Sequence, residues 1–246
     1  MFYPFSFLPM PASTEFAPGL TIQNITAPQK LSDYKLIAFD MDSTLITIEC
    51  IDEIADVAGK KAEVAAITEA TMRGEITDFK ESLRQRVSKL AGVSEADMQR
   101  VVTERLKLSA GAQVLVQAAK AAGLKVLLVS GGFTYFAEHV RSLLDIDFVR
   151  ANVLELHEGV LTGGLVQQAW GDICDGAEKR RTLLEVASLL GIEAAQCIAV
   201  GDGSNDIPMM QTAGLSVAFH AKPRVRTEAN ISITEGGLDR LLELLR

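Results

Sequence analysis

The pattern of apolar and polar positions divides the chain into stretches of different period. Residues 35–39, Lys35-Leu36-Ile37-Ala38-Phe39, form a short, mostly apolar run that predicts a buried parallel strand. From residue 52 to about residue 109 the period becomes helical: Ile54, Val57 and Ala58, then Leu83, Val87 and Leu90, recur three and four apart. Gly59, Gly74 and Gly92 punctuate this block, which predicts about four helices and no strand. From residue 110 onward strands and helices alternate. Helices are predicted over 112–122, stopped by Gly123, over 134–144, 179–190 and 209–213, and over 238–245. Strands are predicted over 125–129, 196–200, 215–219 and 231–234, and residues 147–166, with turns at Glu158-Gly159 and Gly163-Gly164, predict a β-hairpin.

Such alternation implies a parallel sheet with helices on both faces. The predicted class is α/β: a Rossmann-like parallel-sheet core (residues 34–48 and 110–246) with a helical cap (residues 49–109) inserted after the first strand. Residues 1–33 form a Pro/Phe-rich N-terminal arm. Residues 1–29 hold five of the seven prolines and no Lys or Arg, while Phe2, Phe5, Phe7 and Leu8 make the stretch greasy. Pro4, Pro9 and Pro11 interrupt the apolar run that a secretory signal requires. The arm therefore reads as an irregular extension lying on the body, with a partner contact, such as a homodimer, as the alternative.

Composition narrows the function. With 48% hydrophobic and 23% charged residues, the chain has ample material for a core. A net charge of −8 gives a nucleic-acid role no basic footprint, and an anionic substrate would need a local positive or metal-bearing pocket. Cys50, Cys174 and Cys197 form no C-x-x-C pair and read as reduced thiols of a cytoplasmic protein. No apolar run reaches the roughly 18 residues of a spanning helix, so no membrane role is expected.

The chemistry gathers where predicted strands end. The first runs into Asp40-Met41-Asp42-Ser43-Thr44, the second into Ser130-Gly131-Gly132, and the third into Gly201-Asp202-Gly203-Ser204-Asn205-Asp206. A parallel sheet brings these ends to one edge, where open α/β folds bind ligands. If strand alternation continues past Phe39, Asp40 and Asp42 project to the same side, which is costly without a cation or a shared proton. Carboxylates suit Mg²⁺, and glycine-flanked N–H groups suit phosphate. Lys179, in a helix leading to the third strand, adds an ammonium. These parts are what phosphoryl transfer needs.

In this order the segments resemble the haloacid dehalogenase-like phosphatases, whose first motif, D-x-D-x-T, matches residues 40–44. Ser130 matches the second motif, Lys179 the third and residues 201–206 the fourth. Within that superfamily the chain is similar to the phosphoserine phosphatases. The further signs are Glu49-Cys50-Ile51-Asp52-Glu53-Ile54-Ala55, Phe79-x-x-Ser82-Leu83-Arg84-x-Arg86-Val87 and Phe219-His220-Ala221-Lys222-Pro223. The resemblance implies hydrolysis of O-phosphoserine, a small phosphomonoester, through an aspartyl-phosphate, the last step of serine biosynthesis. It assigns Asp40 as nucleophile and Asp42 as general acid and base. Ser130, Gly131 and Lys179 would hold the phosphoryl oxygens, with Asn205 near the substrate. Mg²⁺ would be bound by Asp40, the Asp42 main-chain carbonyl and Asp202, with Asp206 in support. In the cap, Glu49 would meet the substrate ammonium and Arg86 its carboxylate.

The rival readings are a phosphoserine:homoserine phosphotransferase, a phosphatase for another small metabolite and, in another class, a phospho-accepting receiver. The cap insertion and the order of the motifs disfavour the last. Arg84 lies roughly 200° around a helix from Arg86, so the two do not share one pocket. Phe79, seven before Arg86, shares its face and reads as an apolar wall. His139, His157 and His220 are not spaced as ligands, Cys50 reads as a small buried residue, and Trp170 reads as packing.

Overall fold

In the computed structural model, which describes residues 13–73 and 75–246, nine strands form one sheet in the order β1-β2-β9-β8-β7-β3-β4-β5-β6. The strands are β1 (Thr14–Ala17), β2 (Leu20–Ile22), β3 (Leu36–Phe39), β4 (Lys125–Phe133), β5 (Phe148–His157), β6 (Val160–Val166), β7 (Cys197–Gly201), β8 (Leu215–Phe219) and β9 (Ile231–Ile233). The six from β9 to β5 run parallel, with β3 at the centre between β7 and β4. All four β3 residues are buried, as expected of a strand covered on both faces.

Alternation along the central strands feeds two core layers. Ile37, Phe39, Val126, Leu128, Ile198 and Val200 face one layer, with Leu115 of α5 (Ala112–Ala121) and Phe136 and Val140 of α6 (Thr134–Leu144). Leu36, Ala38, Leu127, Val129 and Ala199 face the other. There they meet Leu183 and Val186 of α7 (Gly176–Leu190), Met209 and Met210 of α8 (Ile207–Met210) and Val225 of α9 (Pro223–Glu228).

Between β3 and α5 the chain forms α1 (Cys50–Val57), α2 (Lys61–Met72), α3 (Phe79–Ser88) and α4 (Glu95–Arg100). Asp78 caps α3 by accepting the Lys80 N–H at 2.9 Å, and Ser94 and Asp97 form a reciprocal box at the start of α4. Arg105 ties the return segment to α1 through Glu53 and Asp56, both at 2.5 Å. Lys80 and Arg84 of α3 reach across to Asp172 on the core, at 2.8 and 2.5 Å. The punctuating Gly74 and the apolar residues Phe2, Phe5, Phe7 and Leu8 lie outside the described residues.

Three expectations are corrected. Residues 14–22 are not part of an irregular arm; they form a hairpin turned at Pro18-Gly19 that pairs antiparallel with β9. Strands this short, set among prolines, leave too little alternation to detect. The last helix is a 3₁₀ segment, Leu238–Glu243, whose two buried residues, Leu238 and Leu241, stand three apart and so lie on one face. The short helix after β7 starts at Ile207 and takes Pro208 into its first turn, where a missing N–H costs nothing.

Candidate active site

At the end of β3 the chain leaves the sheet in a wide turn. Asp40 is still extended (φ −69°, ψ 161°) and its N–H reaches Val200 O at 3.0 Å. Ser43 then enters the left-handed region (φ 56°, ψ 3°), and Ile46 N–H closes the turn on Met41 O at 3.1 Å. Strand alternation therefore stops at Asp40. The two carboxylates nevertheless line one cavity, each in a different setting.

Asp40 is buried, and its Oδ1 takes two donors at 2.7 Å, the Met41 N–H and the Lys179 ammonium. Among the described residues no protein donor meets its Oδ2. Lys179 is fully buried and also holds Asp206 Oδ1 at 2.7 Å. Asp175 caps α7 by accepting the Glu178 N–H, so Lys179 stands in the first turn. A cation is unfavourable there, and the two carboxylates compensate. Burial would lower the Lys179 pKa, but Asp206 and Asp40 hold it well above the ordinary lysine range. Burial pushes the Asp40 carboxyl well up, with Asp206 adding to the rise and Lys179 opposing it.

Asp42 accepts the Cys50 N–H at the start of α1 through Oδ2 at 3.2 Å, while its buried Oδ1 has no hydrogen-bond partner among the described residues. Burial, and then the charge of Glu49, raise its pKa to about 7. A carboxyl so poised can donate and accept a proton near neutrality. Gly132 makes room for it, because a Cβ there would stand 2.9 Å from Met41 Cε and 3.2 Å from Asp42 Oδ2.

The loop after β7 supplies Asp202 and Asp206. Asp206 spends its Oδ2 on the N–H groups of Asp202 and Gly203 (3.2 and 3.0 Å) and its Oδ1 on Lys179, so it braces the loop. Asp202 accepts the Thr44 hydroxyl at 3.2 Å through Oδ1. Its pKa is raised to about 6 by burial and then by Asp206. Carboxylate oxygens of Asp40, Asp202 and Asp206 lie within 4.8 Å of one another. Three carboxylates against one ammonium leave an excess of negative charge. The oxygens not claimed by protein donors, on Asp40 and Asp202, suit a hard cation.

A cavity of about 220 Å³ joins these groups to the cap. Asp40, Asp42, Ser130, Gly131, Asp202 and Asn205 line it from the core, and Glu49, Phe79 and Arg86 from the cap side. Lys179 and Asp206 are not on its wall; they stand behind Asp40. The Arg86 Nε is buried and has no hydrogen-bond partner among the described residues. Burial lowers the Arg86 pKa, against the charges of Asp52, Glu49 and Asp42. Arg84 points away, onto Asp172. Trp170 packs, with the Arg150 guanidinium 5.3 Å from its ring centroid, and Cys50 is buried.

Three contributors were not singled out from sequence. Lys222 lines the cavity at the start of α9, although the segment containing it was part of the family resemblance. Buried Asn152 donates to Gly131 O at 2.7 Å and accepts the Cys174 N–H at 2.8 Å, fixing the Ser130–Gly132 corner. The signal was available, since an amide in an apolar strand needs partners. The third is Ser43, whose hydroxyl meets Glu49 at 2.6 Å.

The family model for haloacid dehalogenase-like hydrolases matches residues 37–211. The chain belongs to the haloacid dehalogenase-like hydrolases. The matched segment runs from β3 past α8 and takes in every candidate residue above except Lys222. A phosphoserine phosphatase of Albidiferax ferrireducens is 66% identical over 233 residues, covering 95% of this chain and 98% of that protein. Two solved structures superpose with a TM-score of 0.79 at 37% identity, covering 87% of this chain and 99% of theirs. One is a substrate-bound phosphoserine phosphatase complex, the other a phospho-aspartyl intermediate analogue of phosphoserine phosphatase. Haloacid dehalogenase-like phosphatases generally use Mg²⁺, and the Asp40–Asp202–Asp206 cluster provides a carboxylate set of the right kind. Among the described residues no helix is long and apolar enough to cross a membrane.

Proposed function

We propose that this chain hydrolyses O-phosphoserine to serine and inorganic phosphate through an aspartyl-phosphate on Asp40. The observation that carries the reading is the charge layout of one small cavity, with Asp40 and Asp42 on the core side and Glu49 and Arg86 on the cap side. A phosphorylated zwitterion presents an ammonium, a carboxylate and a phosphate, and this wall offers each a counterpart. Arg86 pairs with the carboxylate, Glu49 with the ammonium, and the Ser130 hydroxyl and Gly131 N–H hold phosphoryl oxygens, with Asn205 beside them. Lys179 acts from behind, opposing the rise that burial imposes on the Asp40 carboxyl and fixing its Oδ1.

In the first half-reaction an Asp40 carboxylate oxygen attacks phosphorus, the bond from phosphorus to the serine oxygen breaks, and Asp42 gives that oxygen its proton. In the second, water attacks phosphorus and passes a proton to Asp42. The bond to Asp40 breaks and phosphate leaves. Mg²⁺ held by Asp40, Asp202 and the Asp42 main-chain carbonyl, with Asp206 bracing the loop, would neutralise charge developing on the phosphoryl oxygens. The cap limits water and the size of what enters.

The test is phosphate release from phosphoserine, phosphothreonine and sugar phosphates, with Mg²⁺, with EDTA and with added homoserine. Phosphoserine should be preferred, EDTA should stop release and Mg²⁺ should restore it. Formation of phosphohomoserine in place of free phosphate would identify a phosphotransferase instead.

A further inference from the structure

Glu49 lines the cavity and is solvent-exposed. It occupies the N-cap position of α1 but makes no side-chain cap, so the helix does not fix its carboxylate. An exposed glutamate free to rotate loses rotamer entropy when it pairs with a ligand. Here a second element holds it. The Ser43 hydroxyl donates to Glu49 Oε1 at 2.6 Å. That leaves Oε2 for another donor.

The hydroxyl is presented by an uncommon backbone. Ser43 is one of the few non-glycine residues with positive φ (56°), a conformation that glycine adopts more easily. Its N–H bonds Ile48 O at 3.1 Å, and the Cys50 N–H bonds Asp42 Oδ2 at 3.2 Å, so residues 43–49 form a strap pinned at both ends. The strap starts beside Asp42 and ends at the residue that faces the cap. We infer that Ser43 is a positioning residue for specificity: its hydroxyl holds Glu49 in the orientation that receives the substrate ammonium. Preference for an amino-bearing phosphoester is then set in part by the first loop of the core. The inference rests on the reading of Glu49 as the ammonium partner.

The experiment compares kcat and KM for phosphoserine with those for the same ester carrying hydrogen in place of the ammonium. Where the second ester turns over slowly, its competitive inhibition constant is used instead. The enzymes are the unaltered protein, Ser43→Ala, Ser43→Gly, Glu49→Gln and the Ser43→Ala/Glu49→Gln double variant, each checked for folding by circular dichroism. Because the Ser43 hydroxyl acts on the substrate only by orienting an exposed Glu49, its loss should cost less than a direct charge-assisted hydrogen bond, lowering the preference for the amino-bearing ester roughly three- to tenfold in both Ser43 variants, chiefly through KM. Glu49→Gln should lower it further, and the double variant no further than Glu49→Gln alone.

A fall in Ser43→Ala but not in Ser43→Gly would assign the effect to backbone strain and overturn the role of the hydroxyl. So would a double variant whose losses simply multiply. If Glu49→Gln lowers the preference while both Ser43 variants keep it, the inference fails and the ammonium reading stands. If Glu49→Gln keeps it as well, the ammonium reading itself falls.

Discussion

Lys179 Nζ lies 2.7 Å from Asp40 Oδ1 and 2.7 Å from Asp206 Oδ1, with the ammonium wholly buried between two buried carboxylates. Removing the cation leaves both anions without a counter-charge. Lys179→Met should therefore destabilise the metal-free protein by about 3 kcal/mol, the usual scale for breaking a buried pair. Adding Asp206→Asn should restore part of the stability but not the turnover, because Asp40 still lacks its partner. Thermal unfolding and phosphate release read the two effects separately. A stability unchanged by Lys179→Met would mean that the pair does not bear on the fold.

Asp42 differs from Asp40 in having a carboxyl poised to exchange a proton. Its proposed first task is to protonate the departing serine oxygen, a poor leaving group. Asp42→Asn should then slow phosphoserine turnover by roughly 10²–10⁴-fold, the range of general acid–base catalysis. An aryl phosphate with an acidic phenol needs no such proton, so formation of the aspartyl-phosphate from it should suffer much less. Single-turnover measurements on both esters decide the matter. Equal losses would remove Asp42 from leaving-group chemistry.

Arg86 lines the cavity, and the proposed partner of its guanidinium is the substrate carboxylate. Arg86→Ala should cost roughly 10–100-fold in kcat/KM for phosphoserine, the worth of a charge-assisted hydrogen bond. An alkyl phosphate without a carboxylate should lose much less. Arg86→Lys should recover only part, since an ammonium cannot reproduce a planar fork. Comparable losses on the two esters would count against carboxylate recognition.

What was legible in the sequence was whatever repeats or clusters locally. The Leu36–Phe39 strand, the helical block carrying Phe79 and Arg86, and the polar strand ends could be read because each shows its period or chemistry within a few residues. The edge hairpin at residues 14–22 could not, because β2 makes sense only beside β9, more than two hundred residues away. The resemblance places Lys179 beside the phosphoryl oxygens, and the structure adds that it bridges Asp40 and Asp206; no local pattern reveals which carboxylates converge on one ammonium. Asn152 and Lys222 are hidden from local patterns for a similar reason: one acts through backbone groups of distant segments, the other by its place on a cavity wall. In the sequence Ser43 is only a member of the D-x-D-x-T stretch, and its positive φ follows from the turn after Asp40.

The last prediction concerns pH and metal together. Asp42 is raised to about 7 and Asp202 to about 6, both chiefly by burial, and Asp40 is raised as well. In the unfolded chain these groups return to the ordinary range near 4. Between those limits the native state binds more protons than the unfolded state, so stability falls as pH rises. The contribution is fully present below about pH 4 and is lost as pH rises through about 6 and 7. Asp56, Asp147 and Asp172 have lowered pKa values, and their opposite effect falls at lower pH. In EDTA the unfolding temperature should therefore decline from pH 5 to pH 7.5. Mg²⁺ should raise it most at the upper end, because the cation binds the ionised cluster and competes with protons for it. Calorimetry at fixed ionic strength tests this. An unfolding temperature that climbed across the window in EDTA, or that ignored Mg²⁺ at its upper end, would show that the clustered carboxylates neither strain the metal-free fold nor hold the ion.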